Sequence, residues 1–311
     1  MAGRVAFLAG ALLAAALPAA PAVAQNRGSV LVRADTPAAM AALPEGGLVY
    51  GELTSGRIFE VSADGRRSAR PIARVKVSRG GLKGLLGLAV SPDRQVFAAY
   101  TSKRNRTVVA QVAPGPQRVV WDGGRAAVEA NGLRLAFAPD GALLVSVGDR
   151  LRTVRVRRRR LITPRFGHFA GRVLRLDPAG PPSQRPQTLS RGWFNPYALA
   201  VTPSGAVWVA DNAIDGPEAL ARGDSGRPRR GAFTRLRSVA PAGLVALDDR
   251  RLVLCGFISE RLHLYRIGDD GRARAAGILT RGCRIGVVLL ADGRLAYANE
   301  RAIRVIAPPP G

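Results

Sequence analysis

One short pattern recurs along this chain and limits what it can fold into. An apolar run leads into a turn built from Pro, Asp and Gly, and a second apolar run follows. The clearest copy spans 131–150, where Leu133, Leu135 and Phe137 alternate, Pro139-Asp140-Gly141 reverses the chain, and Leu143 to Val147 continues. Proline presets φ for a tight turn, aspartate bonds back to its own backbone, and glycine accepts positive φ, so the pattern predicts strand, turn, strand. It returns as Leu-Ala-Val-Ser-Pro-Asp-Arg at 88–94, Leu-Ala-Val-Thr-Pro-Ser-Gly at 199–205 and Val-Leu-Leu-Ala-Asp-Gly at 288–293. Weaker copies sit at 43–47 and 245–250.

The turns anchor at Pro44, Pro92, Pro139, Pro203, Asp248 and Ala291, spaced 43 to 48 residues apart except for one gap of 64. A period in the forties with several short strands per unit is the mark of propeller blades. Six anchors predict an all-β, six-bladed β-propeller of four-stranded antiparallel blades, with an insertion in the third unit. An irregular β-sandwich with similar turns would not keep this spacing.

The first residues read as an export signal. Arg4 precedes a nearly uncharged Ala/Leu run, and Ala22-Val23-Ala24 forms a small-x-small cleavage pattern, so 1–24 is expected to be a signal peptide cleaved near Ala24. The expected product is periplasmic or extracellular. Residues 25–42 read as a loosely held lead-in with a short helical turn near Thr36 to Ala42. A single propeller domain is expected over 43–306, with a solvated tail at 307–311. Two cysteines in an exported chain suggest a disulfide joining Cys255 to Cys283 across the last two blades, with two free thiols as the alternative.

The net charge of +25 comes almost wholly from arginine, since lysine occurs only at 76, 83 and 103. Such a surface draws a protein toward anionic polymers. The charge concentrates in a basic loop, 151–165. Seven arginines fall within 150–160, including Arg152, Arg155, Arg157, Arg158, Arg159 and Arg160. One reading is a solvated arm. The other is a clamp for an anionic polymer such as cell-surface polysaccharide. Few aromatics accompany the arginines, which argues against specific nucleic-acid recognition by base stacking.

Several motifs, in order, resemble the soluble glucose/sorbosone dehydrogenase family. They are Gly-Leu-Leu-Gly-Leu-Ala at 84–89, Asn-Gly at 131–132, Phe-Ala-Pro-Asp-Gly at 137–141 and Gly-Asp-Arg at 148–150. Gly-Arg-Val-Leu-Arg-Leu-Asp-Pro at 171–178, Asn-Pro-Tyr-Ala-Leu-Ala-Val at 195–201 and Ser238 to Leu244 complete the set. The resemblance implies a six-bladed propeller that binds pyrroloquinoline quinone (PQQ) and calcium at its channel mouth and oxidises sugars. In that family a histidine takes the hydroxyl proton while hydride passes to the quinone.

At the site itself this chain departs from the family pattern. The position of the histidine base holds Ala130, followed by Asn131, and Leu133 replaces a glycine and is expected to crowd the channel. Leu82 stands where a polar side chain faces the cofactor, and Phe194, before Asn195, replaces an arginine. The last cofactor arginines align with Cys283 and Ile285. These positions are mostly unsuited to a multiply charged quinone, whose carboxylates need cationic donors. Remaining candidates are Asp211 and Glu218 as weak metal ligands, and His168 or Glu129 as substitute bases. His263 alternates within a strand and reads as a sheet residue. The leading expectation is a degenerate cofactor site with a binding or scaffold role. The alternatives are a working aldose dehydrogenase with a rebuilt site and, third, a calcium-dependent lactonase using Asn195, Asp211 and Glu218.

Overall fold

The computed structural model describes residues 27–149, 152–156, 159–163, 168–213, 217–226 and 233–308. The signal segment 1–24, Arg157, Arg158 and the end of the tail lie outside the described residues. No helix occurs among them, and hence none long and apolar enough to cross a membrane.

Strand β1 is Ser29–Arg33. The first blade follows as β2 (Pro37–Ala42), β3 (Leu48–Glu52), β4 (Arg57–Val61) and β5 (Ala73–Arg74). The second is β6 (Leu85–Val90), β7 (Val96–Thr101), β8 (Arg106–Ala113) and β9 (Arg118–Arg125). The third starts with β10 (Gly132–Phe137) and β11 (Leu143–Val147). A separate hairpin follows, β12 (Arg152–Val156) and β13 (Arg159–Thr163), before β14 (Arg172–Leu176) and β15 (Gln187–Arg191) complete that blade. The fourth is β16 (Ala198–Val201), β17 (Val207–Asp211), β18 (Glu218–Arg222) and β19 (Phe233–Leu236). The fifth is β20 (Pro241–Ala246), β21 (Arg251–Gly256), β22 (Arg261–Ile267) and β23 (Ala273–Arg281). The sixth is β24 (Gly286–Leu289), β25 (Leu295–Ala298) and β26 (Ala302–Ile306), with β1 as its fourth strand. The chain is a six-bladed, all-β propeller.

Why the sequence folds this way is visible in its core. Alternate residues of one strand pack against opposite neighbouring blades, as the two-residue period requires. On β7, Val96, Ala98 and Tyr100 join the core shared with the first blade, while Phe97 and Ala99 join that shared with the third. Each of the six blade–blade interfaces carries one such apolar cluster. Strands buried on both faces therefore read as continuous apolar runs, not as clean alternation.

All six turn anchors fall between the first and second strands of a blade, so they gather on one side of the ring, here the turn face. The segments that precede β6, β10, β16, β20 and β24 lie at the other end, the loop face.

Three expectations are corrected. Of the expected lead-in 25–42, the described residues 27–42 are not loosely held and contain no helical turn. β1 pairs antiparallel with β26, Ser29 opposite Val305 and Arg33 opposite Ala302, and so closes the ring with the two ends of the chain. β2 is the inner strand of the first blade and pairs with β3. Its Pro-Ala-Ala-Met-Ala-Ala composition carries little strand propensity, and pairing overrides it. The basic segment is no plain loop either. Its described residues form an antiparallel hairpin in which Arg155 stands opposite Arg160 and Val156 opposite Arg159. Flanking Thr153, Val154, Leu161 and Ile162 supply the β-branched and aliphatic residues that favour strands. Finally, Leu133 does not crowd the channel. It is fully buried in the core between the second and third blades.

Candidate functional site on the loop face

The loop face gathers the positions singled out by sequence, each near the start or end of a blade strand. Leu82 precedes β6 and is 43% exposed. Ala130 and Asn131 precede β10, Phe194 and Asn195 precede β16, and Cys283 and Ile285 precede β24. Asp211 ends β17 and Glu218 begins β18.

The polar side chains in this group are already committed to backbone. Asn131 accepts from the Ala127 N–H at 3.0 Å and donates to the Leu82 carbonyl at 3.0 Å, joining the second and third blades. Asn195 Oδ1 accepts the Gly132 N–H at 3.1 Å, joining the third and fourth. The Asp211 carboxylate accepts the N–H groups of Asn195 at 2.7 Å and Phe194 at 3.0 Å. Glu218 accepts those of Val239 at 3.0 Å and Ala240 at 2.8 Å, reaching the fifth blade. Cys255 and Cys283 form a disulfide that continues the chain of latches from the fifth blade to the sixth. Loops carry backbone donors that need partners when buried, and these carboxylates and amides supply them.

Asp211 and Glu218 thus bind loops, not one another. Among the described residues no group of three or more His, Cys, Asp or Glu could hold a metal ion. Ala130 is fully buried with φ at 52°, and Leu133, where the family pattern has glycine, keeps a left-handed φ of 68°. Ile285 and the disulfide-bonded Cys283 are buried. Arg284 between them pairs with Glu260 at 3.3 Å and Glu300 at 3.2 Å and lies over Phe257.

His168 is exposed just before β14, its ring edge-on to Phe169 at 4.8 Å. Glu129 is half-buried on the loop before β10. His263 sits in β22 opposite Leu254 and Ile278, bonded to Ser259 at 2.8 Å, and burial followed by the charge of Arg261 holds its pKa below the ordinary value.

One residue that the sequence did not single out makes five side-chain hydrogen bonds. Arg134 on β10 sends its guanidinium to the axis of the ring. Nε donates to Tyr197 O at 3.0 Å. One terminal nitrogen donates to Ala38 O at 2.6 Å and Leu86 O at 2.8 Å, and the other to Ala242 O at 2.6 Å and Ile285 O at 3.3 Å. The five N–H groups of one arginine meet one carbonyl from each of the other five blades. The inner strand of a blade has an unpaired edge, and these carbonyls belong to such edges or the residues just before them. Small residues near this level let the strands converge. A Cβ on Gly87 would stand 2.1 Å from Leu133 O, and one on Gly243 would stand 2.8 Å from the Gly286 Cα. Burial pushes the Arg134 pKa down, partly opposed by Tyr197, yet arginine stays charged in proteins. Among the described residues no carboxylate pairs with it, so carbonyl dipoles carry the compensation. In a chain so rich in arginine, one more between Leu133 and Leu135 gives no local signal.

These features define a six-bladed propeller whose loop face is stitched from blade to blade and whose axis is closed by one arginine. Residues 34–222 match the glucose/sorbosone dehydrogenase family, and the chain belongs to it. Solved structures agree on the fold. The PQQ-bound aldose sugar dehydrogenase of Streptomyces coelicolor superposes with a TM-score of 0.69 at 22% identity, covering 92% of this chain and 99% of that one. A glucose dehydrogenase structure gives 0.73 at 21% identity, over 91% and 100%. The apo aldose sugar dehydrogenase of Escherichia coli gives 0.72 at 18%, over 91% and 99%. No curated protein sequence matches the chain.

Proposed function

We propose that this protein is an exported propeller of the sugar-dehydrogenase family that has lost quinone chemistry and serves as a binding protein for anionic polymers. The observation that carries the reading is the commitment of Asn131, Asn195, Asp211 and Glu218 to loop backbone, around a base position occupied by buried Ala130. The residues present do not fit PQQ. Its carboxylates need cations, and the family positions offer Leu82, Phe194, a disulfide and Ile285. Burying an unpaired carboxylate costs several kcal/mol. Among the described residues calcium lacks a converging carboxylate set on this face. The arginine hairpin rises from the same face, between β11 and β14, and its register sets Arg155 opposite Arg160. Like charges directly opposite destabilise a bare hairpin, and an anionic chain such as cell-surface polysaccharide relieves them.

A second reading is a working quinoprotein aldose dehydrogenase with a rebuilt site. It is favoured by exposed His168, which lies before β14 on the loop face and could supply a base. Reconstitution separates the two. Purified protein is mixed with PQQ and calcium, desalted and scanned for quinone absorbance, then assayed for dye-coupled aldose oxidation. The proposal expects no retained quinone and no turnover. Retained quinone with turnover would establish the second reading, with His168 or Glu129 as base.

A further inference from the structure

Arg134 divides the central channel. Tyr197, immediately before β16, stacks on the guanidinium with its ring centre 4.1 Å from Cζ. On the turn-face side a chamber of about 250 Å³ opens, walled by inner-strand residues of all six blades and floored by Arg134, which keeps 9% of its surface accessible. Its walls include Ala41, Leu88, Ala136, Leu244 and Val288.

The chemistry of this chamber is unusual in two respects. All five N–H donors of Arg134 are used by carbonyls at the edge of the guanidinium plane, so no donor remains for an anion. What the group can still offer is its flat, positively charged face, which attracts the electron-rich face of an aromatic ring. The surrounding aliphatic side chains favour an apolar body. The inner edges of the six blades add unpaired backbone groups that a hydroxyl can reach. An apolar cavity of about 150 Å³ is enough to admit benzene, so the chamber accommodates one substituted ring.

We propose that this turn-face chamber is a binding site for a small phenolic compound, its ring stacked on the Arg134 guanidinium and its hydroxyl bonded to an inner-strand edge. The site lies on the opposite side of Arg134 from the loop face and does not rest on the function proposed above.

Ligand-observed NMR on the full chain tests this with phenol and with cyclohexanol, which matches it in size and hydroxyl but lacks a π face. Phenol is expected to bind about tenfold more tightly, the scale of a partly desolvated cation–π contact. Two variants, Ala136→Phe and Ala41→Phe, fill the chamber from the third and first blades. Each is expected to weaken phenol binding at least about tenfold while keeping the strand-type circular dichroism spectrum, since inserted methylenes exclude the ligand at modest cost to the fold. Equal affinity for cyclohexanol and phenol, absence of phenol binding at millimolar concentration, or undiminished binding by folded filled variants would each overturn the proposal. The comparison of the two probes needs only the unaltered protein, so it stands even if a variant fails to fold.

Discussion

Arg134 meets Tyr197 twice: Nε donates to the Tyr197 carbonyl at 3.0 Å, and the guanidinium carbon stands 4.1 Å from the centre of the Tyr197 ring. The same side chain reaches every other blade, so the ring has a hub as well as a strand closure. Arg134→Met should leave five inner-edge carbonyls without a donor. Each buried group left unsatisfied costs about 1–3 kcal/mol, although water entering the channel will recover part of it. We expect a loss of about 3–5 kcal/mol in chemical denaturation, the sum of a few such unsatisfied groups. Arg134→Lys should recover only part of that loss, because an ammonium has fewer donors and no planar fork. Unchanged stability in both variants would remove the hub from the account of this fold.

The latch at Asp211 makes a separate prediction. Asp211→Ala removes the acceptor for the Asn195 and Phe194 N–H groups, and Asn195 in turn holds Gly132. Stability should fall by about 2–4 kcal/mol, the scale for hydrogen bonds to a buried charged group. Hydrogen exchange at the amides of Gly132 and Asn195 should accelerate more than exchange in the sixth blade. Uniform acceleration throughout the ring would show that the residue has no local latching role.

His263 gives the protein a pH response of defined sign. Its folded pKa lies below 6.5 because burial, and then Arg261, disfavour the charged form. The unfolded chain therefore binds this proton first as the pH falls. Stability is fully present above the unfolded pKa and declines as pH drops from about 6.5 toward the folded value. Replacing His263 with Gln should flatten the change in Tm between neutral and mildly acidic buffer. A slope that is the same in both proteins assigns the response to other groups.

For the arginine hairpin, the expected observable is salt. Binding to heparin should weaken steeply as ionic strength rises, because each neutralised anionic group releases counterions. Replacing Arg157 to Arg160 with Ser should reduce the salt slope by roughly one unit for each arginine that no longer pairs with an anionic group. An unchanged slope would mean that the overall charge of +25, and not the hairpin, draws the polymer.

The blade count and the turn face were legible in the sequence because both arise from local chemistry. Pro139-Asp140-Gly141 and its five relatives turn the chain where they stand, and the two-residue period of Phe97 and Ala98 sends neighbours into different cores. The departures at Ala130, Leu82 and Phe194 could likewise be read as residue identities. What those identities do depended on tertiary structure. Asn195, Asp211 and Glu218 can look like ligands in a sequence, and only the folded loops show their oxygens turned onto backbone N–H groups of adjacent blades. The closure of the ring by β1 joins residues more than 260 positions apart, so the apolar run Val30 to Val32 can announce a strand but not its distant partner. Arg134 is the extreme case. Nothing local separates it from the rest of the 47 lysines and arginines, because its role exists only where five distant carbonyls converge on one axis.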